Sequence, residues 1–246
     1  MTIYILWLRQ LKRYARSRSR MVGSVAQPML FLFALGLGFG PIYRRAGGGD
    51  YIQFLAPGII SMSILFSSVF SGIEVIWDRQ FGFLKETLVA PVSRLEIMLG
   101  RTLGGTTVAV FQGIIVLLVS LLAGFKPDPS GLPLALLFMA LIALLFCSLG
   151  TAIASVLENV HGFQLIMNLL VMPTFFLSGA LFPLQNLPEL LYKVTIFNPL
   201  SYGVDGLRGS LIHSSHFGIL LNISMLSLFS FSLLFVGAFL FSRIEV

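Results

Sequence analysis

PSGLPLALLFMALIALLFCSLGTAIASVL, residues 129–157, carries no charged side chain between Asp128 and Glu158. A bilayer core needs about 20 predominantly apolar residues per helix, so an interval this long and this rich in Leu, Ile, Phe and Ala reads as a transmembrane helix. A barrel strand would show about ten residues of alternating polarity instead. Five further charge-free intervals exceed the roughly 18-residue threshold for a span. They run from Arg20 to Arg44, Asp50 to Glu74, Arg101 to Lys126, Glu158 to Glu189 and Arg208 to Arg243. The pattern predicts an all-α integral membrane protein with six transmembrane helices near 22–41, 52–76, 98–124, 132–156, 163–182 and 217–241.

Composition agrees. Of 246 residues, 57% are hydrophobic and 11% charged, with a mean hydropathy of +0.94, whereas soluble domains carry about 25% charged residues. Residues 1–246 read as one membrane domain, with no room left for an ATPase domain. The formal charge of +6 would suggest nucleic acid in a soluble protein, but here it sets topology. With six spans both termini share a side. One assignment collects Arg9, Lys12, Arg13, Arg16, Arg18, Arg20, Arg79, Lys85, Arg94, Arg101 and Arg243 in the cytoplasm, leaving Arg44, Arg45, Lys126, Lys193 and Arg208 outside. The positive-inside rule selects that orientation, and no nucleic-acid partner is expected. The sole cysteine, Cys147, excludes an intramolecular disulfide and a multi-cysteine metal site.

Residues 1–20 form a charged segment before a span-length apolar run, with no small-residue cleavage site after it, so a retained helix is expected rather than a signal peptide. On a helical wheel Tyr4, Trp7, Leu8, Leu11 and Ala15 share one face, while Arg9, Lys12, Arg13, Arg16 and Arg20 share the other. This predicts an interfacial helix on membrane lipid. Between the second and third spans, Phe81, Phe83, Leu84, Leu88 and Val89 lie among charges ahead of Pro91. That pattern predicts a short amphipathic helix over 83–89, suited either to a soluble partner's groove or to the membrane surface. Residues 183–215 hold too many prolines for one helix and too much apolar surface for a solvated loop. Two short external helices near 188–196 and 200–212 are expected, dipping into the outer leaflet, with Asp205 and Arg208 spaced to pair across one turn.

Inside the spans, Ser63, Ser67, Ser71 and Glu74 form one polar stripe, and Ser148, Thr151, Ser155 and Glu158 another. Such stripes serve close helix packing or line a translocation route. Gly100 and Gly104 make a G-x-x-x-G pair that permits close helix approach. Pro28 and Pro173 interrupt spans one and five. No P-loop occurs, since no Gly precedes a Lys. His161, His213 and His216 lack metal-ligand spacing, and no nucleophile–base constellation is visible at membrane depth, so neither a metal site nor a catalytic residue is expected.

Phe54 to Ile60 (FLAPGII), Lys85 to Arg94 (KETLVAPVSR), Leu177 to Pro183 (LSGALFP) and Asn198 to Tyr202 (NPLSY) resemble, in order and spacing, the permease subunits of type-2 ABC exporters. The likeness covers nearly the whole chain. It implies a multi-pass protein of the plasma (inner) membrane with an interfacial amino-terminal helix, and external re-entrant helices between spans five and six. It also implies a cytoplasmic coupling helix whose Phe83, Leu84, Lys85, Glu86, Thr87 and Leu88 contact an ABC ATPase. By the same likeness two permease copies, a homodimer, join two ATPase chains that hold ATP and Mg, with no cofactor in the permease itself. Ser63, Ser67 and Ser71 become candidates for the substrate path of a drug, lipid or lipid-linked glycan, and Asp205 and Arg208 for an external gate. The competing class is a secondary transporter driven by an ion gradient, with Glu74 and Glu158 as its ionisable groups.

Overall fold

The computed structural model describes residues 1–47, 49–89, 92–184 and 188–243, with the backbone alone at 18–20, 85, 88 and 89. Among the described residues the chain is helical with no strand. The α-helices are α1 (Thr2–Arg16), α2 (Arg18–Arg45), α3 (Tyr51–Phe70), α4 (Ile73–Gln80), α5 (Phe83–Val89), α6 (Arg94–Leu122), α7 (Leu132–Val156), α8 (Val160–Phe176), α9 (Glu189–Phe197), α10 (Pro199–Ile212) and α11 (Ile219–Ser242). Among the described residues five segments are long and apolar enough to cross a membrane: Met21–Arg45, Tyr51–Gln80, Arg94–Leu122, Pro129–Val156 and Ile219–Ser242. The fifth sequence interval forms a shorter apolar helix, Val160–Phe176, because the chain turns at Leu177 and passes Gly179 at positive φ before reaching Pro183.

Polar caps start the helices. Asp50 accepts from the Ile52 N–H ahead of α3, Asn159 from the His161 N–H ahead of α8, and Asn198 from the Leu200 N–H ahead of α10. Each satisfies a donor that the first turn leaves unpaired. Ser93 and Glu96 form a full capping box at the start of α6. These caps mark the starts of apolar runs.

Helix α3 is central. In its apolar stretch 78% of residues are buried, against 22% for α2 and 17% for α11, which lie on the outside. It packs on α2, α6, α7 and α10, while α11 lies along α7. The turn joining α3 to α4 tightens into i→i−3 bonds, Glu74 N–H to Ser71 O and Val75 N–H to Gly72 O. There the backbone of α7 comes so close that a Cβ at Gly72 would lie 2.4 Å from Gly150 O, and one at Gly150 2.5 Å from Val69 O. Only glycine fits this crossing.

Helix α1 buries an edge that belongs to neither of the two faces read from the wheel. Its buried residues are Leu6, Gln10 and Tyr14, whereas Tyr4 is exposed. The buried edge lies against α6 where Gly100 and Gly104 leave room: a Cβ on Gly100 would sit 2.9 Å from Leu6 Cβ, and one on Gly104 2.7 Å from Gln10 Cβ. Trp7 Nε1 donates to Thr107 Oγ1 at 3.0 Å. Two residues of the cationic face, Arg9 and Arg13, turn inward to carboxylates on α4. A wheel places every cation outside by default; an acidic partner 69 residues away in sequence reverses that.

Candidate functional site

Three places along the bundle gather the residues singled out in the sequence. The first is the end that carries α1, α4 and α5. Asp78, 3% exposed, is its hub. Arg9 donates to both carboxylate oxygens, Nη1 to Oδ2 at 3.1 Å and Nη2 to Oδ1 at 2.9 Å, the bidentate fork that guanidinium and carboxylate favour. Arg101 of α6, 4% exposed, places Nη2 2.7 Å from Asp78 Oδ2 as an ion pair without hydrogen-bond alignment. Arg13 Nη1 stands 3.6 Å from Glu74 and 3.7 Å from Asp78. The Arg9 guanidinium also lies over the Phe83 ring, 3.8 Å from its centroid. One arginine thus ties α1, α4 and α5 together. Arg79 Nη2 donates to Ser155 O and so occupies a carbonyl at the end of α7.

Within α5, Leu84 is fully buried in the chain's own core, so it fastens the helix to the bundle instead of facing outward. Phe83 is half-buried beneath Arg9, and Thr87 donates its hydroxyl to Phe83 O. Glu86 is exposed. The side chains of Lys85 and Leu88 lie outside the described residues. Phe81, just ahead of α5 and 82% exposed, joins Glu86 on the free surface. Phe81 is absent from the expected contact set because the wheel begins with the helix, at Phe83.

The second place is a cavity of about 330 Å³ between α2, α3 and α6, lined by Gln27, Pro28, Met62, Ser63, Phe66 and Ser67 among others. Ser63 Oγ is buried there without a hydrogen-bond partner. Ser71 is elsewhere: its hydroxyl donates to Ser68 O at 2.6 Å, lies 3.5 Å from Cys147 Sγ and faces Gly105. Residues spaced by four drift about 40° per step around a helix of 3.6 residues per turn, and two steps carry Ser71 off the cavity. Pro28 cannot donate to the carbonyl of Ser24, and Gln112 of α6 replaces that bond, Nε2 to Ser24 O at 2.9 Å. Helix α2 therefore runs through its proline unbroken.

The third place is the opposite end. Hydrogen bonds gather its segments: Gln53 Nε2 to Gly124 O, Tyr51 OH to Leu181 O, and the Asp128 N–H to Leu211 O. Hydrogen bonds from the Ser130 hydroxyl and N–H, reinforced by His213, hold the Asp128 carboxyl down to about 2. Asp205 and Arg208 occupy one buried turn of α10 but take separate partners. Asp205 accepts from Ser215 Oγ, the His216 and Phe217 N–H groups and Asn222 Nδ2, all at 2.7–2.9 Å. Arg208 Nη2 donates to Phe54 O and Gly179 O, and its guanidinium lies 3.8 Å over the Phe54 ring.

A polytopic helical bundle with a cavity beside its central helix and a charged cluster under a short helix that is anchored on one side has the build of the membrane component of a transport system. The chain belongs to the ABC-2 type transporter family, whose family model matches residues 1–212. Members are permease subunits without an ATPase domain of their own and work with an ABC ATPase. The chain is similar to nodulation protein J of Sinorhizobium fredii, 28% identical over 241 residues, covering 97% of this chain and 92% of that protein. Nodulation protein J of Rhizobium leguminosarum bv. trifolii is 31% identical over 207 residues, covering 83% and 76%. The protein named "Putative transport permease ycf38" of Cyanophora paradoxa is 27% identical over 261 aligned positions, covering 98% and 88%.

Proposed function

We propose that this chain forms the substrate path of an ATP-driven exporter for a hydrophobic or amphiphilic compound, as two copies joined to two ATPase subunits in the cell's inner membrane. Helix α5 is the coupling helix. The observation that carries this reading is its two-sidedness: Leu84 and the Arg9–Phe83 stack hold the inner side to the bundle, while Phe81 and Glu86 stand free for a soluble partner. A helix so fastened moves the spans when it is pushed. Nucleotide closure of the ATPases then reaches the membrane as a rigid displacement, because a ligand shifts a two-state equilibrium only through contacts that differ between the states.

The remaining topology follows from the same reading. Helix α8 is the sixth span; its 17 residues reach about 26 Å at 1.5 Å per residue, near the roughly 30 Å of a hydrocarbon core. Both termini and α5 are cytoplasmic, α1 lies at that interface, and α9 and α10 are the external re-entrant pair, with Asp205 and Arg208 at the exit. The second copy covers the face beside α3, where α2 exposes Leu30 and Leu37 and α8 exposes Leu165 and Leu169. The buried, unpartnered Ser63 hydroxyl supports a polar route along that face, with Ser67 beside it. Mg and ATP belong to the partner.

Reconstitution of the chain in proteoliposomes with its cognate ATPase tests the proposal. Export of a labelled amphiphile requires both chains and ATP. Transport that persists without the ATPase and follows an imposed proton or sodium gradient would replace this reading with a secondary transporter using Glu74 and Glu158.

A further inference from the structure

At the end of the bundle opposite α1, two cavities of different character meet. One is an apolar groove of about 400 Å³ whose walls include Leu35, Phe39, Tyr51 and Phe182. The other is a polar chamber of about 160 Å³ lined by Arg208, Asp205, His216, Ser214 and Ser215. Tyr43 and Pro183 belong to both walls. Together the two lie within the size range of small-molecule sites, about 300–1,000 Å³, with the usual apolar lining and few convergent polar groups.

The charges in the chamber are not equivalent. Asp205 is satisfied: four donors occupy its oxygens, so it presents no free acceptor geometry. Arg208 is not. It is 5% exposed, takes part in none of the ion pairs among the described residues, and its Nε is buried without a hydrogen-bond partner. Two backbone carbonyls accept from its Nη2, and the Phe54 ring lies against the guanidinium face. A guanidinium is matched best by an oxyanion that takes two of its N–H groups at once, and a buried donor left unmade is costly.

We propose that the two cavities form one binding site for a single-chain amphiphile with an oxyanion head, the tail along the Leu35–Phe182 groove and the head on Arg208. Placing the site at the outer end of an export path rests on the function proposed above; the ligand chemistry does not. Transported amphiphile and resident outer-leaflet lipid share this chemistry, and the test separates them.

The purified chain in a neutral maltoside detergent is titrated with 1-lauroyl lysophosphatidic acid, with the uncharged 1-lauroylglycerol and with inorganic phosphate. Lysophosphatidic acid is expected to bind at least tenfold more tightly than either. Arg208→Gln abolishes the preference over lauroylglycerol. Leu35→Trp, which narrows the groove without touching the hydrogen bonds of Arg208, weakens lysophosphatidic acid at least tenfold, so the test survives if the arginine variant fails to fold. Equal binding of the charged and neutral lipids to the wild-type chain overturns the proposal, as does phosphate binding as tightly as the lipid. In proteoliposomes with the ATPase, stimulation of ATP hydrolysis by lysophosphatidic acid identifies a transported ligand; binding without stimulation identifies a resident lipid. Loss of ATPase association with binding intact would remove the exporter reading and leave the site.

Discussion

Replacing Asp78 with Ala is expected to lower the melting temperature of the purified chain by roughly 10 °C. The carboxylate compensates Arg9 and Arg101, and Arg101 is 4% exposed. Removing one partner of a buried ion pair leaves an uncompensated charge, at a cost of about 3–5 kcal/mol. For a chain of this length each kcal/mol moves the midpoint by about 2–4 °C. The double variant Asp78→Ala with Arg101→Leu should recover more than half of the loss, because the stranded cation goes with its partner. The exposed Glu189–Lys193 pair is the contrast: at 82% and 65% side-chain exposure, its loss through Glu189→Ala changes stability by at most about 1 kcal/mol. A wild-type melting curve for Asp78→Ala would show that the cluster does not hold α1 and α4 together.

The second large effect concerns coupling. Phe81→Asp combined with Glu86→Arg alters two exposed side chains, and exposed substitutions away from special features generally change stability by about 0.5 kcal/mol or less. Yet on the proposed function both stand on the ATPase-facing surface, and the double change is expected to reduce ATP-driven transport and copurification of the ATPase at least tenfold, about 1.4 kcal/mol of interface energy. Leu84→Asp gives the opposite signature. It places a charge in the core, so folded yield falls before coupling can be measured. Transport rates of the purified, monodisperse variants separate the two outcomes. Full transport by the Phe81→Asp, Glu86→Arg chain would remove this surface from the interface.

Much of the fold was legible because lipid allows so few solutions: an apolar run must satisfy its backbone internally, so charge-free intervals become helices. Residues 132–156 coincide with α7 for that reason. Long-range partners were not legible. Arg9 and Asp78 are 69 residues apart, and nothing local distinguishes Arg9 from Lys12, which remains exposed. The Gly100–Gly104 pair could be read as an approach site, but not as the one for α1, because the α1 residues that meet it, Leu6 and Gln10, are not small and carry no matching motif. The serine stripe misled at its last step, where the turn after Phe70 and the drift of the helix carry Ser71 toward Cys147. Asp205 and Arg208 showed the right spacing for a pair, yet a turn at Ser215 to Phe217 and the backbone at Gly179 supplied stronger partners than each other.

The claim that a separate ATPase acts on this chain through the exposed side of α5 is tested most directly by photo-cross-linking. The one native thiol, Cys147, is fully buried, so a benzophenone maleimide on the Glu86→Cys variant labels a single position. In membranes containing both chains, an ATPase adduct is expected from that position and none from a label on Arg44→Cys at the opposite end. No adduct at 86, or an equal one at 44, would contradict it.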